Sequence, residues 1–157
     1  MLTGGGSLAR RVLVSILVLG LLAAPVSAVF AQGMIMGPVS ATQHPALGLI
    51  LADANGMTLY TWEGDTALTS NCYDDCATAW PPLLVDETTA AGVMSMMMGG
   101  FGAAQRRDGS YQLTYSGWPL YYFSRDTAPG DALGVGLRGF GALWSVVSLD
   151  PMMMEGH

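Results

Sequence analysis

Two stretches of the chain alternate apolar and aromatic residues in the same order. Both read Gly-x-x-Leu-Tyr-x-(Trp or Phe)-x-x-Asp-Thr-Ala, at residues 56–67 and 117–128, and six of the twelve positions are identical. In an extended strand the tyrosine and the following aromatic residue lie on one face, and the preceding leucine lies on the other. The pattern therefore predicts two copies of a strand buried on both faces, with Tyr60 and Trp62 in one and Tyr121 and Phe123 in the other.

An aspartate follows the second aromatic residue of each copy by three positions, where the strand should end. A short carboxylate accepts hydrogen bonds from backbone N–H groups a residue or two ahead, so Asp65 and Asp126 are predicted to form turns. A catalytic pair of carboxylates would need a second acidic partner and a cleft. A structural role for both aspartates is favoured.

The surrounding patterns predict an all-β fold with small α content, built from two similar β-meander repeats that share one core. Turn pairs separate short apolar runs at Asn55–Gly56, Asp108–Gly109 and Ser116–Gly117, as in tight hairpins. A short helix, capped by Ser70 or Asn71, should carry the cysteine pair, with Trp80 as a core residue at its exit.

The domain organisation follows from changes in composition along the chain. Residues 47–150 are predicted to form a single domain of two repeats, 47–87 and 103–150, joined by a Met/Gly-rich linker at 88–102. A flexible arm is expected at 32–46 and a disordered tail at 151–157.

The N-terminal residues have the pattern of a targeting segment. Two arginines precede an apolar run of 13 residues at 12–24, and small residues follow. Residues 1–31 are therefore predicted to be a secretory signal peptide, cleaved after Ala28 or Ala31. Because the run is shorter than the roughly 20 residues of a membrane-spanning helix, no transmembrane helix is expected in the mature chain.

The charged residues narrow the choice of partners. Without residues 1–31 the chain keeps 4 basic and 12 acidic residues and no lysine, a formal net charge of −8. Such a surface repels nucleic acid and anionic lipid head groups. We therefore expect no nucleic-acid partner, whereas a partner in the cell envelope is compatible with an extracytoplasmic location, in the periplasm or at the cell surface.

The motifs resemble those of a known family. The matching residues are Gly56–Trp62 with Asp65, Cys72-x-x-x-Cys76-Ala77 with Trp80–Leu83, Asp108–Gly109, Gly117–Phe123 with Asp126, and Pro129–Asp131. Over roughly residues 47–149 the chain resembles the secreted-repeat family of predicted bacterial lipoproteins, named for a Tyr-x-(Phe/Trp/Tyr)-x-x-Asp motif. The resemblance implies an exported protein of uncharacterised function. No cysteine follows the apolar run, so attachment by a lipidated cysteine is not expected.

Cys72 and Cys76 are the only cysteines. An even pair in an oxidising compartment most often forms a disulfide, although on an ideal helix the two Cα atoms would lie about 6 Å apart, at the long end of the usual range. A structural disulfide is predicted, and a redox-active or metal-binding thiol pair is the alternative. A c-type haem site is excluded because no histidine follows Cys76.

Methionine is the unusual component, with 11 in the chain, most of them outside the repeats. Thioether sulfur is a soft ligand that suits Cu(I). A copper site is therefore an alternative to a low-complexity insert without function, and no other cofactor is expected. Its candidate ligands are Met94, Met96, Met97, Met98, Met152, Met153, Met154, His44 and His157.

No catalytic motif is recognisable in the sequence. It contains no Gly-x-Ser-x-Gly, no His-Glu-x-x-His and no phosphate-binding glycine loop, and two histidines cannot furnish both a triad and a metal site. The preferred interpretation is an exported, non-catalytic β-repeat module that binds a partner or has a structural role at the cell envelope. An extracytoplasmic copper-binding or thiol-redox protein is the alternative.

Overall fold

The computed structural model describes residues 35–36, 38–96 and 100–150. These belong to the second of the two units into which the chain divides, Gln32–His157. The strands are β1 Ile35–Met36, β2 Val39–His44, β3 Gly48–Asp53, β4 Tyr60–Trp62, β5 Leu84–Val85, β6 Phe101–Gln105, β7 Tyr111–Tyr115, β8 Trp118–Pro119, β9 Arg138–Gly139 and β10 Ala142–Val146; the helices are α1 Asp75–Ala79 and α2 Glu87–Met96.

The strands form three antiparallel sheets, with the orders β1-β2-β3, β4-β10-β9 and β5-β7-β6, and β8 also pairs with β7. This confirms the predicted, mostly β fold of two repeats with a small helical content. The predicted signal peptide and the tail at 151–157 lie outside the described residues. In the part of the chain that the model does describe, no helix is long and apolar enough to cross a membrane.

Three short hairpins form at the predicted turns. In the first repeat, the Asp53 carboxylate accepts the backbone N–H groups of Asn55 and Met57, at 2.8 and 2.9 Å, and Gly56 adopts a φ of +84° that favours glycine. In the second repeat, β6, β7 and β8 form the predicted meander. The turns predicted from the local sequence therefore lie where the hairpins form.

The predicted arm at 32–46 requires a correction. Residues Val39–His44 form β2, which pairs with β3 along its whole length from Val39↔Asp53 to His44↔Gly48. Only Val39 is buried in this strand, so the segment shows no hydrophobic alternation. Its order comes from backbone pairing with β3 and from the Ser40 hydroxyl, which donates to the Asp53 carbonyl at 2.8 Å.

The predicted linker at 88–102 also requires a correction, because its first part is the helix α2. The Asp86 carboxylate accepts the Thr89 backbone N–H at 2.7 Å and the Thr89 hydroxyl at 2.9 Å, and so satisfies donors in the first turn. Ala90 is fully buried and Val93 packs on the core. The alanines favour a helix, whereas the Met and Gly residues of the segment led to the prediction of a linker.

A segment of the first repeat pairs with a sheet of the second. Leu83, next to β5, lies between Leu113 of β7 and Leu120, which directly follows β8. The Leu113 N–H donates to the Leu83 carbonyl at 2.9 Å, and the Leu83 N–H donates to the Leu120 carbonyl at 2.9 Å. Leu83 therefore completes a sheet of the other repeat.

In the same way, a segment of the second repeat pairs with the first. The Leu51 N–H donates to the Val147 carbonyl at 2.9 Å, and the Val147 N–H donates to the Leu59 carbonyl at 3.2 Å. Val147 thus occupies in the first repeat the position that Leu83 occupies in the second. Each repeat is completed by a segment of the other, and neither sheet system is closed within one repeat.

Two core clusters lie on opposite faces of the motif strands. One is aromatic and contains Tyr60, Trp62, Cys72, Cys76, Trp80, Tyr121, Phe123 and Trp144. The other is aliphatic and contains Val39, Leu51, Leu59, Leu83, Leu113, Leu120 and Val147. The motif strands of both repeats are therefore buried on both faces.

Candidate functional site: the tyrosine–aspartate pairs and the aromatic column

The motif tyrosine of the first repeat is bonded to the motif aspartate of the second. The Tyr60 hydroxyl donates to Asp126 Oδ2 at 2.6 Å, and Asp126 Oδ1 accepts the Leu133 N–H at 2.9 Å. The Gly134 N–H donates to the same hydroxyl oxygen at 3.3 Å. Asp126 thereby holds the loop after it against the other repeat.

The reverse pair has the same arrangement. The Tyr121 hydroxyl donates to Asp65 Oδ2 at 2.7 Å, and Asp65 Oδ1 accepts the Asn71 N–H at 2.7 Å. The backbone N–H groups that these carboxylates accept lie six residues after Asp65 and seven after Asp126, not one or two as predicted. The reason is that the other oxygen of each carboxylate accepts the tyrosine hydroxyl of the opposite repeat. The aspartates thus bridge the repeats as well as ordering their own loops.

The two tyrosines also face each other through their backbones. Each donates its N–H to the carbonyl of the other at 2.9 Å, so Tyr60 and Tyr121 form an isolated antiparallel bridge. The backbone pair and the two exchanged hydroxyl bonds together relate the repeats by a local two-fold axis.

Burial controls the protonation of this site. It raises the pKa of both tyrosines, and the hydrogen bond to the partner aspartate raises it further. Burial also raises the pKa of Asp65, opposed by hydrogen bonds from Asn71 and Tyr121 and by the charge of Arg106. The hydroxyls therefore stay protonated at neutral pH and act as donors.

A buried cation, Arg106, was not predicted from the sequence; it is only 6% exposed. Its Nη1 donates to Ser70 Oγ at 2.8 Å and to Gln112 Oε1 at 2.6 Å, and its Nη2 donates to the Cys72 carbonyl at 2.8 Å. Ser70 in turn is hydrogen-bonded to the Tyr121 hydroxyl at 2.8 Å. Ser70, which was predicted as a helix cap, instead connects Arg106 to Tyr121. Arg106 lies among turn residues in the sequence, and no apolar pattern around it indicates that it is buried.

Four aromatic rings stack into a column, which we call the aromatic column. Ring centroids lie 5.4 Å apart for Trp62 and Trp144, 3.8 Å for Trp144 and Trp80, and 4.2 Å for Trp80 and Phe123. The two central rings are within 1° of parallel. The column follows the same local symmetry, because Trp80 precedes Leu83 by three residues, as Trp144 precedes Val147.

The paired tyrosines meet the column edge-on. Tyr60 contacts Trp80 at 5.3 Å between centroids and 77° between planes, and Tyr121 contacts Trp144 at 5.2 Å and 88°. Edge-to-face contacts of this kind are favourable beyond the area they bury. Trp144 is fully buried, and its Nε1 has no hydrogen-bond partner among the described residues.

Cys72 and Cys76 form a disulfide, with Cα atoms 5.2 Å apart, which confirms the predicted bond. The helix α1 begins at Asp75, later than expected, so Cys72 precedes it and the pair avoids the wider spacing of an ideal helix. Both cysteines are buried against the aromatic column. No free thiol is present in the described chain, so the thiol form of the redox hypothesis does not apply to this state.

The candidate copper ligands are not brought together by the described structure. The backbone of Met94 and Met96 is in α2, and Met97, Met98, Met152, Met153, Met154 and His157 lie outside the described residues. His44, at the end of β2, accepts the Ala46 N–H through Nδ1 at 3.2 Å. Within the described ranges there is no cluster of three or more His, Cys, Asp or Glu side chains suited to a metal, and the copper hypothesis stays a prediction.

A loop of alternating glycine and apolar residues lies next to the aromatic column. In residues 133–140, which we call the apolar loop, Leu133 is 62% exposed and Phe140 50%, and Val135 and Leu137 are also exposed. The backbone is nevertheless fixed, because the Gly136 N–H donates to the Trp144 carbonyl at 3.0 Å and the Trp144 N–H to the Leu137 carbonyl at 2.9 Å. The loop presents apolar side chains from a rigid base.

These features define a mostly β protein of two repeats that complete each other and share an aromatic core with a buried disulfide. The chain belongs to the family described as a secreted repeat of unknown function, whose model matches residues 41–84 and 102–148, one match in each repeat. No curated protein and no solved structure matches the chain. The resemblance read from the motifs is thereby confirmed.

Proposed function

We propose that the protein is an exported, non-catalytic β-repeat module that binds a protein partner at the cell envelope through the apolar loop. The observation that carries the proposal is the exposure of Leu133, Val135, Leu137 and Phe140 within eight consecutive residues. Contiguous exposed apolar side chains on a soluble surface mark interaction sites, whereas single ones need no explanation.

The role of the motif residues supports a module without catalysis. Tyr60 and Tyr121 donate to carboxylates of the opposite repeat, and the second oxygens of Asp126 and Asp65 hold backbone N–H groups. These are the polar groups that both repeats share, and their hydrogen bonds join the repeats to each other. They maintain the frame from which the loop is presented.

The rigidity of the loop favours binding. Its ends are tied to the core by Asp126, which accepts the Leu133 N–H, and by Trp62, whose Nε1 donates to the Gly139 carbonyl at 3.2 Å. A surface that is already ordered loses less conformational entropy on association. The loop therefore has the properties of a preformed contact surface.

The sheet edge within the apolar loop suggests the mode of contact. β9, Arg138–Gly139, is the outer strand in the order β4-β10-β9, and edge strands can accept an added strand from a partner. The formal net charge of −8 without residues 1–31 disfavours an anionic lipid surface. A protein partner with an apolar strand or loop fits both features.

Site-specific photo-crosslinking in the source cell tests the proposal. A benzophenone amino acid replaces Phe140 in one variant and Leu133 in another, and the matched control carries it at Leu84, which is 51% exposed but lies in β5, outside the loop. We expect a discrete protein adduct from the two loop positions and none from position 84. Absence of an adduct at both loop positions, or the same adducts from all three positions, contradicts the proposal.

A further inference from the structure

The aromatic column places three indole rings next to two tyrosines whose hydroxyl protons already have an acceptor. We propose that the column and the two Tyr–Asp pairs form an internal relay for one-electron oxidation. An outer-sphere one-electron oxidant at the surface removes an electron at Trp62, and the electron vacancy comes to rest on Tyr121 or Tyr60. This proposal concerns the interior of the protein and is independent of binding through the apolar loop.

The ring contacts make the path continuous. Trp62 stacks on Trp144 and Trp144 on Trp80, at 5.4 and 3.8 Å between centroids, and Tyr121 and Tyr60 touch Trp144 and Trp80 at 5.2 and 5.3 Å. Electron exchange between aromatic rings weakens steeply with separation, so rings in van der Waals contact exchange an electron faster than separated ones. Every step from Trp62 to a tyrosine is such a contact.

The positions of proton acceptors give the path a direction. An oxidised indole is stabilised by losing its N–H proton, but Trp144 Nε1 has no hydrogen-bond partner among the described residues. The tyrosine hydroxyls, in contrast, already donate to carboxylate oxygens, Tyr121 to Asp65 at 2.7 Å and Tyr60 to Asp126 at 2.6 Å. A tyrosine can therefore give up its proton together with its electron, which Trp144 cannot.

The step is balanced within each pair. Tyr121–OH and Asp65 carboxylate become a neutral Tyr121 phenoxyl radical and Asp65 carboxylic acid; the O–H bond of the tyrosine breaks and a new O–H bond forms at Asp65 Oδ2. The electron leaves through the column and reduces the oxidant by one electron. Burial raises the pKa of Asp65, which makes this carboxylate a better proton acceptor than an exposed one.

Trp62 is the point of entry. Of the three tryptophans in the column it is the most exposed, at 7% against 2% for Trp80 and 0% for Trp144. A Cβ at Gly64 would overlap the Trp62 indole, so the Gly64 backbone lies directly against this ring. Phe123 occupies the other end of the column, and a phenyl ring is far harder to oxidise than an indole.

Flash-quench oxidation of the intact protein tests the relay, with a ruthenium(III) polypyridyl complex as the cationic one-electron oxidant. Tyrosyl and tryptophanyl radicals are followed by transient absorption and by electron paramagnetic resonance. We expect the folded protein to form a tyrosyl radical, more slowly in D2O than in H2O. In Tyr60→Phe or Tyr121→Phe the remaining tyrosine can still receive the electron vacancy, so we expect a tyrosyl radical in each single variant, and the double variant should abolish it.

Two further variants separate the relay from general tyrosine oxidation. Tyr122→Phe is the matched control, because its hydroxyl also donates to an aspartate, Asp53, at 3.2 Å, but its ring packs on the aliphatic cluster; we expect no loss of yield. Asp65→Asn combined with Asp126→Asn keeps the shape of the carboxylates and removes the proton acceptors. In that variant we expect the radical to remain on tryptophan.

Three results would overturn the proposal: no tyrosyl radical in the folded parent, a loss of yield in Tyr122→Phe as large as that in the double tyrosine variant, or an undiminished tyrosyl yield in the double asparagine variant. Circular dichroism establishes that each variant is folded. If a variant does not fold, the parent in urea decides the question, because a tyrosyl radical that forms as fast in the unfolded chain as in the folded one excludes the relay.

Discussion

Trp80 and Trp144 stack face to face, with ring centroids 3.8 Å apart and ring planes within 1° of parallel. Each lies three residues before the residue that its repeat lends to the other, Leu83 in one case and Val147 in the other. Their contact therefore lies on the local two-fold axis. The two repeats form one core because each supplies both a ring and a strand segment to the other.

Cutting the chain between the repeats should leave them together. A protease site inserted at residues 97–99 separates the halves covalently after cleavage, since the disulfide joins two cysteines of the same half. We expect the cleaved protein to elute as one complex in size-exclusion chromatography. Both core clusters contain residues of each half, and Leu83 and Val147 each pair with backbone groups of the opposite half. Its melting temperature should become concentration-dependent.

Protease-treated parent without the inserted site is the control for this experiment. The complex should separate into its two halves only in denaturant. Elution of separate, folded halves from the cleaved protein in native buffer would show that each repeat is closed without the other, contrary to the strand exchange.

A single added methyl group at Gly134 should destabilise the core. A Cβ there would lie 2.6 and 2.8 Å from two Trp80 ring carbons and 3.0 Å from Tyr60 Cε1. We expect Gly134→Ala to lower the free energy of unfolding by about 1–3 kcal/mol, the usual cost of overpacking. Urea denaturation followed by tryptophan fluorescence measures the change.

The matched control is Gly92→Ala in α2, where a Cβ would meet no atom of the described residues within 4 Å outside the backbone of its own helix. Alanine is the better helix former, so this variant should gain up to about 1 kcal/mol. The same glycine-to-alanine change is thus expected to have opposite signs at the two positions. A loss at Gly92 as large as that at Gly134 would remove the ring contact as the explanation.

The stability of the protein should increase as the pH falls through the raised pKa of Asp65. Burial raises this pKa above 3.8, so between the ordinary and the raised value the folded state binds the proton more readily than the unfolded state. The contribution of Asp65 to the free energy of unfolding therefore rises as the pH is lowered. Asp65→Asn should abolish this rise, which lies above pH 3.8.

Three other aspartates act in a different pH window. Hydrogen bonds lower the pKa of Asp86, Asp108 and Asp131 below 3.8, so their stabilising contribution is lost only as the pH falls further through those lowered values. Urea titrations of parent and Asp65→Asn across the higher window isolate Asp65. Parallel curves for the two proteins would contradict the desolvation of this carboxylate.

Local patterns in the sequence were sufficient to predict the hairpins, the doubly buried motif strands and the disulfide. The Asn55–Gly56 and Ser116–Gly117 turns are set by backbone conformations that neighbouring residues determine, and the cysteine pair is four residues apart. These features depend on neighbours along the chain, which a sequence displays directly.

The partners across the repeats could not be predicted in this way. Tyr60 is five residues from Asp65 but bonds to Asp126, 66 residues away, and the repeat pattern is the same for either pairing. The burial of Arg106 depends on acceptors from Ser70, Cys72 and Gln112, which only the folded chain assembles. The equal spacing of Trp80 to Leu83 and of Trp144 to Val147 does indicate that the two segments are equivalent. The loops between the motif aspartates and these tryptophans differ in length, so the equivalence is not apparent from the sequence.

A double-mutant cycle measures the reciprocal pairing most directly. Free energies of unfolding are determined for the parent, Tyr60→Phe, Asp126→Ala and the double variant, and in a matched cycle Asp65→Ala replaces Asp126→Ala. Removing a hydrogen bond to a buried charged group costs about 1.5–3 kcal/mol, and we expect a coupling energy of that size between Tyr60 and Asp126. Between Tyr60 and Asp65, which share no hydrogen bond, it should stay within about 0.5 kcal/mol. Coupling of Tyr60 to Asp65 as large as that to Asp126 would contradict the exchange between the repeats.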